Sequence, residues 1–411
     1  MFVMVSAVME IPNIRHMRVF TETVATGSVS MAAERVHLTQ PAASQGIAKL
    51  EATVGVSLFL RQQGAIVPTA EGALFARRVS RALAFIDAGG ERQSRRLAGG
   101  DVRISQKVTA AQLRALIAVG DTGSFTLAAA KLGIAQPTVH RSARALEQVL
   151  GQPLFGVVQG GVAMTAFGRA LFQQAKLARA ELVQASEEIA ALAGREASRI
   201  MVGSLPLARS QILPDAIDHM VRAHKRLQIR VIDGRYDALL RGLREGDLDF
   251  IIGALRGDLP ADDIVEEELF DDKLAIICGR HHPLASKPHV SLADTLRFPW
   301  VGPPKSTPSG QILVAALGID DMPNTPVRVV SSSLVLVRQL LARGDYVSIL
   351  SRHQIAHEVR QGDIVVLPIR LPTGERPIGL TRRRDWSPTA HQSAFLDAIR
   401  AAARDAVLGV E

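Results

Sequence analysis

The residue types best suited to chemistry in this sequence are hydrogen-bond donors on one face of a predicted helix, and this arrangement occurs twice. The outward-facing positions of the first helix are Ala42, Ser44, Gln45 and Lys49. Those of the second helix are Thr138, His140, Arg141 and Arg144. The polar side chains among these can hydrogen-bond to base edges in a DNA major groove and to phosphates. The pattern favours nucleic-acid recognition.

The two helices lie in segments that match each other without a gap. "TGSVSMAAERVHLTQPAASQGIAKLE" begins at Thr26, and "TGSFTLAAAKLGIAQPTVHRSARALE" begins 96 residues later, at Thr122. The match continues to Gly72 in the first copy and to Gly168 in the second. A self-match of this length indicates a duplicated structural unit.

Each copy is predicted to contain a helix-turn-helix followed by a hairpin, or wing. Thr39 is expected to cap the reading helix of the first copy, whereas the second copy has Ala135 there, which costs that helix about 1 kcal/mol. The first wing carries Arg61, and the second has Val157 at that position. The other candidate DNA contacts are Ser30, Thr39, Gln40, Pro41, Gln136 and Pro137. Such units also serve as protein-interaction modules, so this alternative stays open.

Composition narrows the classes of protein to which the chain can belong. A length of 411 residues suits about three to four domains. The net charge is +8, and the positive excess lies in the N-terminal half, which suggests a polyanionic partner there. The opening "MFVMVSAVM" is too short to span a bilayer. We expect a cytoplasmic protein without a membrane partner.

Several residues could be mistaken for a catalytic or metal site. His353 and His357 have helical spacing without a visible third ligand, and His281 and His282 lie in a turn. The single cysteine, Cys278, lies in an apolar strand, which favours a core position over a nucleophile. The sequence has no phosphate-binding or dinucleotide-binding fingerprint. We expect no catalytic residues, no metal, no cofactor and no enzyme activity.

A helix with a heptad seam is predicted after the second copy. Its apolar positions are Leu171, Ala175, Ala178, Leu182, Ala185, Ile189 and Leu192. A seam of this kind packs against a partner helix, and we expect the partner to be a second subunit. The first copy begins the same seam, but Gly89-Gly90 is expected to end it and to lead into a flexible basic linker.

From Arg199 onward, predicted strands alternate with helices, which indicates two α/β lobes with parallel strands and a cleft between them. The candidate ligand-binding residues at strand ends and helix starts are Ser204, Tyr236, Arg256, Thr307, Ser309, Ser332 and Ser333. Each hydroxyl could equally be an ordinary helix cap, and Arg256 could be a solvated turn residue.

These motifs together resemble the LysR-type transcriptional regulators. Residues 13–75 and, more loosely, 110–172 are similar to that family's winged helix, while "LREGDLDFIIG" and "GRHHPLA" are similar to parts of its effector domain. The resemblance implies binding of double-stranded DNA, pairing of subunits through the linker helix, and a two-lobed, periplasmic-binding-protein-like domain. It also implies a small organic effector, such as an organic acid or aromatic catabolite, a homodimer or homotetramer, and contact with RNA polymerase.

The expected fold class is a multidomain mixture of α+β and α/β, with two winged helix-turn-helix domains, a coiled-coil linker helix and a two-lobed effector domain. The predicted boundaries are a first winged domain at 11–88, a linker at 89–109, a second winged domain at 110–168, a dimerisation helix at 169–194, lobe I at 199–268 and 385–408, and lobe II at 269–384. Three alternatives stay open: heads that dock proteins, an enzyme built on the rear domain, and one copy retained only as scaffold.

Overall fold

The computed structural model describes residues 11–62, 65–97, 103–194, 198–257, 261–371 and 375–408. The apolar opening and the middle of the predicted linker lie outside the described residues. The chain forms two compact units. Unit 1 comprises residues up to 198 with 245–247, and unit 2 comprises 199–244 and the residues from 248 onward.

Unit 1 contains the same succession of elements twice. The first set, which we call head 1 (residues 14–68), consists of α1 Ile14–Thr26, α2 Val29–Arg35, α3 Gln40–Val54, β1 Phe59–Gln62 and β2 Ala65–Pro68. It is followed by the long helix α4 Ala70–Leu97 and a 3-10 turn, Ile104–Gln106. Head 2 (residues 110–164) consists of α5 Ala110–Thr122, α6 Phe125–Leu132, α7 Gln136–Leu150, β3 Phe155–Val158 and β4 Gly161–Met164. It is followed by the long helix α8 Ala166–Leu192.

Residues that recur in both copies hold the scaffold of each head together. The carboxylate of Glu51, on α3, accepts a hydrogen bond from the backbone N–H of Leu58 at 2.8 Å. Glu147 accepts the equivalent bond from Leu154 at 2.8 Å. A Cβ at Gly72 would lie 1.9 Å from the Leu58 carbonyl oxygen, and head 2 has the same close approach. The repeated glycine therefore lets each long helix pack on its hairpin.

The predicted starts of the two reading helices are confirmed. The Thr39 hydroxyl accepts a hydrogen bond from the Ala42 N–H at the start of α3, and proline occupies the first turn. Ala135 makes no side-chain cap at the start of α7. Proline fits here because the first-turn N–H groups have no partner within the helix.

The predicted break at Gly89-Gly90 is wrong, because α4 continues to Leu97. A Cβ at Gly89 would lie 2.7 Å from a methyl group of Leu171 and 3.4 Å from the Cβ of Gln174, both on α8. Glycine within a helix costs about 1 kcal/mol relative to alanine. At Gly89 it permits close helix packing, which offsets that cost.

The seam of α8 is covered by α4 of the same chain, and this corrects the expectation of a second subunit there. The buried seam residues are Leu171, Ala175, Ala178, Leu182, Ala185 and Ile189. The residues of α4 in the same hydrophobic cluster are Phe75, Ala76, Val79, Ala82 and Ile86. Leu192, also predicted to belong to the seam, is 54% exposed. The expectation failed because it ended α4 too early to serve as the partner.

Unit 2 contains one mixed sheet flanked by helices. Its strands are β5 Arg199–Ser204, β6 Gln228–Asp233, β7 Phe250–Ala254, β8 Ile264–Gly279, β9 Trp300–Gly302, β10 Val327–Val330, β11 Val347–Ser351, β12 Ile364–Val366 and β13 Glu375–Arg383. Its helices are α9 Ile212–Ala223, α10 Tyr236–Arg244, α11 Leu292–Thr295, α12 Pro308–Leu317, α13 Leu334–Arg343, α14 Arg352–Gln361 and α15 Ala390–Leu408. The strand order is β10-β9-β11-β8-β13-β7-β5-β6, with β12 beside β8.

The parallel sheet predicted for this region is correct only at its two ends. β5 pairs in parallel with β6 and β7, and β9 pairs in parallel with β10 and β11. Between them, the long strands β8 and β13 pair antiparallel with each other and with their neighbours. Strand β8 contributes to the hydrophobic cores of both lobes, so it connects them.

The lobe boundary differs from the predicted one for the same reason. Ile378 and Leu380, placed in lobe II by the sequence, pack in the lobe I core with Phe250 and Phe395. The second core surrounds Trp300. Among the described residues, no helix combines the length and apolar character needed to cross a membrane.

Candidate nucleic-acid interface and ligand cleft

The predicted reading face of head 1 lies on the surface of α3. Ala43, Ile47 and Leu50 are buried against the rest of the head. The opposite face of the helix is exposed and carries Ala42, Ser44, Gln45 and Lys49. Because one side of α3 is packed against the head, the amide of Gln45 and the ammonium group of Lys49 on the other side are accessible to a ligand.

Gly46, on the same helix, has a packing role that the sequence did not reveal. A Cβ at this position would lie 3.0 Å from Cδ2 of the His16 ring. Burial and the nearby charge of Lys49 lower the pKa of His16 below its usual value. The imidazole therefore stays neutral at pH 7 beside the basic face of α3.

Head 2 presents a different set of side chains on α7. The ring of His140 packs edge-on against Phe125, with 5.1 Å between ring centroids. Arg144 donates a hydrogen bond to Glu147 at 2.7 Å, while Arg141 is exposed. Arg141 is therefore the freer of the two arginines predicted to contact DNA.

The other candidate DNA contacts are also on the surface. Arg61 is exposed on β1, and Val157, at the matching place on β3, is 91% exposed. The remaining exposed candidates are Ser30, Thr39, Gln40, Pro41, Gln136, Pro137 and Thr138. Exposure makes all of these residues available to a ligand.

The candidate ligand site of unit 2 is a cavity of about 90 Å³ between the two lobes. Leu205 and Ala254 line it from lobe I, and Thr307, Ser309 and Ser332 line it from lobe II. The last three were predicted from the sequence. Typical pockets for drug-sized ligands are about 300–1,000 Å³, so this cavity is smaller than such pockets.

The four other predicted cleft residues do not line this cavity. Ser204 is buried and donates to the Leu205 carbonyl at 3.3 Å. The guanidinium of Arg256 lies 4.4 Å from the ring centroid of Tyr236, so these two side chains are paired with each other. Ser333 caps α13 by accepting from the backbone N–H of Leu336. Topology placed all four near strand ends but could not show where their side chains point.

Arg376 is a cleft residue that the sequence analysis missed. Its guanidinium donates to Ser309 at 2.5 Å and to Asp272 at 3.0 Å. Ser351 also donates to Asp272, at 2.5 Å, and a ring nitrogen of His353 lies 3.0 Å from the same carboxylate. Arg376 lies far along the chain from the predicted helix starts, and only the pairing of β13 brings it to the cavity.

The charge of Asp272 is maintained although the residue is buried. Burial favours the neutral acid, but the hydrogen bond to His353 and the positive charge of Arg376 outweigh it and hold the pKa of Asp272 below its usual value. A charged Asp272 fixes the guanidinium of Arg376 at the cavity wall. The cleft therefore contains a positioned cation beside hydroxyl groups.

A larger cavity, of about 630 Å³, lies elsewhere on unit 2. It is lined by charged residues that include Arg280, Arg338, Glu358 and Asp363. Arg338 pairs with Glu358 at 2.9 Å, and Arg280 pairs with Asp363 at 3.4 Å. None of the ligand-binding residues predicted from the sequence lines this cavity, so the cleft remains the candidate ligand site.

Comparison with known proteins identifies the class to which these sites belong. The model of the bacterial regulatory helix-turn-helix proteins of the lysR family matches residues 14–73 and again 110–169. The LysR substrate binding domain matches residues 193–404. The chain therefore belongs to the LysR family, with an N-terminal helix-turn-helix and a two-lobed α/β substrate-binding domain.

Among relatives, the HTH-type transcriptional regulator GalR of Pseudomonas putida is 32% identical over 395 residues, or 95% of this chain and 97% of GalR. That alignment must include both heads. PcaQ of Agrobacterium fabrum, another HTH-type transcriptional regulator, is 28% identical over 73% of this chain and 96% of its own. A full-length cysteine variant of OxyR from Pseudomonas aeruginosa shares the fold, with a TM-score of 0.52, 24% identity, and coverage of 71% of this chain and 97% of that one.

These matches confirm the predicted function. The protein is a DNA-binding transcriptional regulator with a ligand-binding domain. Its relatives are named as transcriptional regulators, a class distinct from enzymes.

Replacing Asp272 with asparagine is expected to destabilise unit 2 by about 3 kcal/mol at pH 7, because Arg376 loses its buried counter-charge. Urea unfolding followed by tryptophan fluorescence measures this, since Trp300 and Trp386 both lie in unit 2. Asp271→Asn is the control, because that side chain is exposed; it should change stability by less than about 0.5 kcal/mol.

The pH dependence of the same difference gives an independent check. A carboxyl whose folded pKa is lowered stabilises the protein above its unfolded pKa of about 3.9 and loses that contribution as pH falls through the folded value. The gap between wild type and Asp272→Asn should therefore shrink below about pH 4. Equal stability of the two proteins at pH 7 would contradict the charged cluster.

Proposed function

We propose that both heads bind double-stranded DNA, with α3 and α7 in major grooves and Arg61 near a phosphate. The observation that supports this most strongly is the contrast between the positions that are identical in the two copies of the repeat and the positions that differ. Residues that recur, such as Glu51 and Glu147, bond to the backbone of their own head. The exposed positions of α3 and α7 differ between the copies while remaining suited to DNA. Duplication has thus kept the winged scaffold and changed the surface that reads DNA.

The alternative role for the heads is docking of protein partners, and electrostatics discriminates the two. A head that neutralises phosphates releases counterions, so its affinity falls steeply as salt is raised. The basic residues on the proposed DNA side include Lys49, Arg61 and Arg141. If the heads instead docked protein partners through their exposed polar surfaces, their affinity for DNA would not need to depend on DNA length or to fall steeply with salt.

The cleft is proposed to bind a small organic anion, such as an organic acid or aromatic catabolite. Arg376 supplies a fixed positive charge, and Ser309 supplies a hydroxyl 2.5 Å from it. The backbone N–H groups at the start of α12 follow Thr307, and a helix N-terminus favours negative charge. Because the cavity is only about 90 Å³, an aromatic effector would require the lobes to separate before they close around it.

Regulation would then follow from a population shift. A ligand that binds the closed arrangement of the lobes more tightly than the open one shifts the equilibrium toward the closed arrangement. The size of the shift is set by the ratio of the two affinities. Coupling to DNA requires that the two lobe arrangements hold the heads of the assembled protein differently. Self-association into dimers or tetramers and contact with RNA polymerase remain predictions for this chain.

DNA binding by each head is tested by a quantitative footprint on the DNA upstream of the protein's own gene. Gln45→Ala/Lys49→Ala and Arg141→Ala/Arg144→Ala should each remove a different part of the protected region, because they lie on different heads. Loss of a lysine that contacts phosphate should reduce the salt slope by about one.

Arg222→Ala is the matched control for these variants, since it removes an exposed arginine of unit 2 that pairs with Asp218. It should leave the footprint unchanged. A footprint that survives both double substitutions intact would show that neither face binds this DNA.

The effector site is tested by thermal shift with a panel of small aliphatic and aromatic carboxylates. For a carboxylate that stabilises the wild type, Ser332→Ala should weaken affinity about ten-fold, since a lost hydrogen bond is worth about 1 kcal/mol or slightly more. Ser333→Ala, one residue away but outside the cavity, should lower the melting temperature through its lost cap without changing affinity. Equal affinity in both variants would place the ligand elsewhere.

A further inference from the structure

The packing of α4 on α8 is antiparallel and nearly two-fold symmetric within one chain. Arg78, on α4, bonds to Glu181, Gln184 and Glu188, while Gly89 lies against Leu171 and Gln174. Residue numbers therefore rise along one helix as they fall along the other. In the repeat, Gln174 on α8 corresponds to Arg78 on α4. Gln174 lies near Gly89, and Gly89 is next to Ala88, the residue that corresponds to Gln184. The two heads are thus related as two copies in a symmetric pair.

The symmetry is broken by a buried ion cluster, defined here as Arg78, Arg81, Glu181, Gln184 and Glu188. Arg78 is fully buried and donates to Glu188 through Nε at 2.9 Å and Nη2 at 2.7 Å. Its Nη1 donates to Glu181 at 2.9 Å and to Gln184 at 2.8 Å. Arg81 adds a contact with Glu181 at 2.9 Å. This arrangement satisfies both partly desolvated carboxylates.

The repeat equivalents of these residues do not reproduce the ion cluster. If two α8 helices from different chains paired in the same geometry, Glu181 would face Leu177, and Gln184 would face Gln174. Glu181 and Gln184 would both lose their contact with Arg78. Two paired α4 helices would place Arg78 opposite Ala88. Removing one partner of a buried ion pair is strongly destabilising because the other charge stays desolvated. The ion cluster therefore selects pairing of unlike helices and acts against pairing of like ones.

The two reading faces that this pairing brings together have different chemistry. In the gapless alignment of the repeats, Gln45 corresponds to Arg141, and Ser44 corresponds to His140. Glutamine pairs best with adenine in the major groove, whereas arginine pairs best with guanine. A pair of identical heads reads two copies of one half-site, but this pair presents two different specificities.

We propose that each chain forms its own pair of unlike heads, held by the ion cluster around Arg78, and that this pair reads one asymmetric DNA site with two different halves. The inference rests on the proposed binding of DNA by both heads. One chain then does at the DNA what two subunits would do with single heads, and the order of the half-sites gives the site a direction.

The pairing within one chain is tested by a disulfide in the full-length double variant Gly89→Cys/Gln174→Cys. The ideal Cβ of residue 89 lies 3.4 Å from the Cβ of residue 174, close to the separation of about 3.5–4.5 Å in disulfides. After mild oxidation, the product should migrate as one chain without reducing agent, and both introduced thiols should be protected from maleimide. The single variant Gly89→Cys is the control for accidental linkage.

A covalent dimer as the main oxidised product would show that the helices pair between chains and would overturn the proposal. Thiols that both remain free to react with maleimide would overturn it as well, because the helices would not be adjacent.

The asymmetric site is tested by selecting duplexes from a random library with the full-length wild type, Gln45→Ala and Arg141→Ala. The wild type should select a non-palindromic site. Gln45→Ala should relax preference in one half, and Arg141→Ala should relax preference in the other. Symmetric duplexes that contain either half twice should bind at least about ten-fold more weakly, since each mismatched base pair costs about 1–3 kcal/mol.

A palindromic site whose two halves both respond to Arg141→Ala would overturn the asymmetric site, since it would require two copies of head 2. If no sequence were enriched, the proposed binding of DNA by both heads would fail, and the asymmetric site with it. The disulfide result does not depend on DNA and would still decide how the helices pair.

Discussion

The packing of unit 1 depends on how the guanidinium of Arg78 is accommodated. A fully buried arginine must find its counter-charges within reach, and Arg78 finds them on α8, more than one hundred residues further along the chain. Burial disfavours the charged form, but the hydrogen bonds to Glu188 and Glu181 outweigh it and raise the pKa of Arg78 above its ordinary value. The apolar seam residues are buried between the two helices, whereas the ion cluster determines which helix may pair with which.

This constraint explains why a duplicated head differs from two subunits with single heads. Repeated residues such as Glu51 and Gly72 preserve the shape of each head through contacts with its own backbone. Residues that differ between the copies include those on the exposed faces of α3 and α7 and those at the ion cluster. The residues on the exposed faces of α3 and α7 give each head its own surface for DNA. The residues at the ion cluster keep α4 paired with α8.

The sequence predicted elements whose signals are local and missed contacts made across the chain. The start of α3 followed from Thr39 and proline, and the uncapped start of α7 followed from Ala135. The continuation of α4 past Gly89 could not be read locally, because the packing that permits it comes from α8. Arg376 was missed in the same way, since only strand pairing brings it to Ser309. Tyr236 and Arg256 were also predicted to line the cleft, but their side chains stack on each other.

The central claim, that α4 and α8 pair within one chain, is tested most directly by hydrogen–deuterium exchange of the full-length protein over a dilution series. Amides of residues 171–189 should exchange slowly and at the same rate from micromolar to nanomolar concentration, because an intramolecular contact does not weaken on dilution. Faster exchange of this segment on dilution would contradict the account and would show that a second subunit covers the seam.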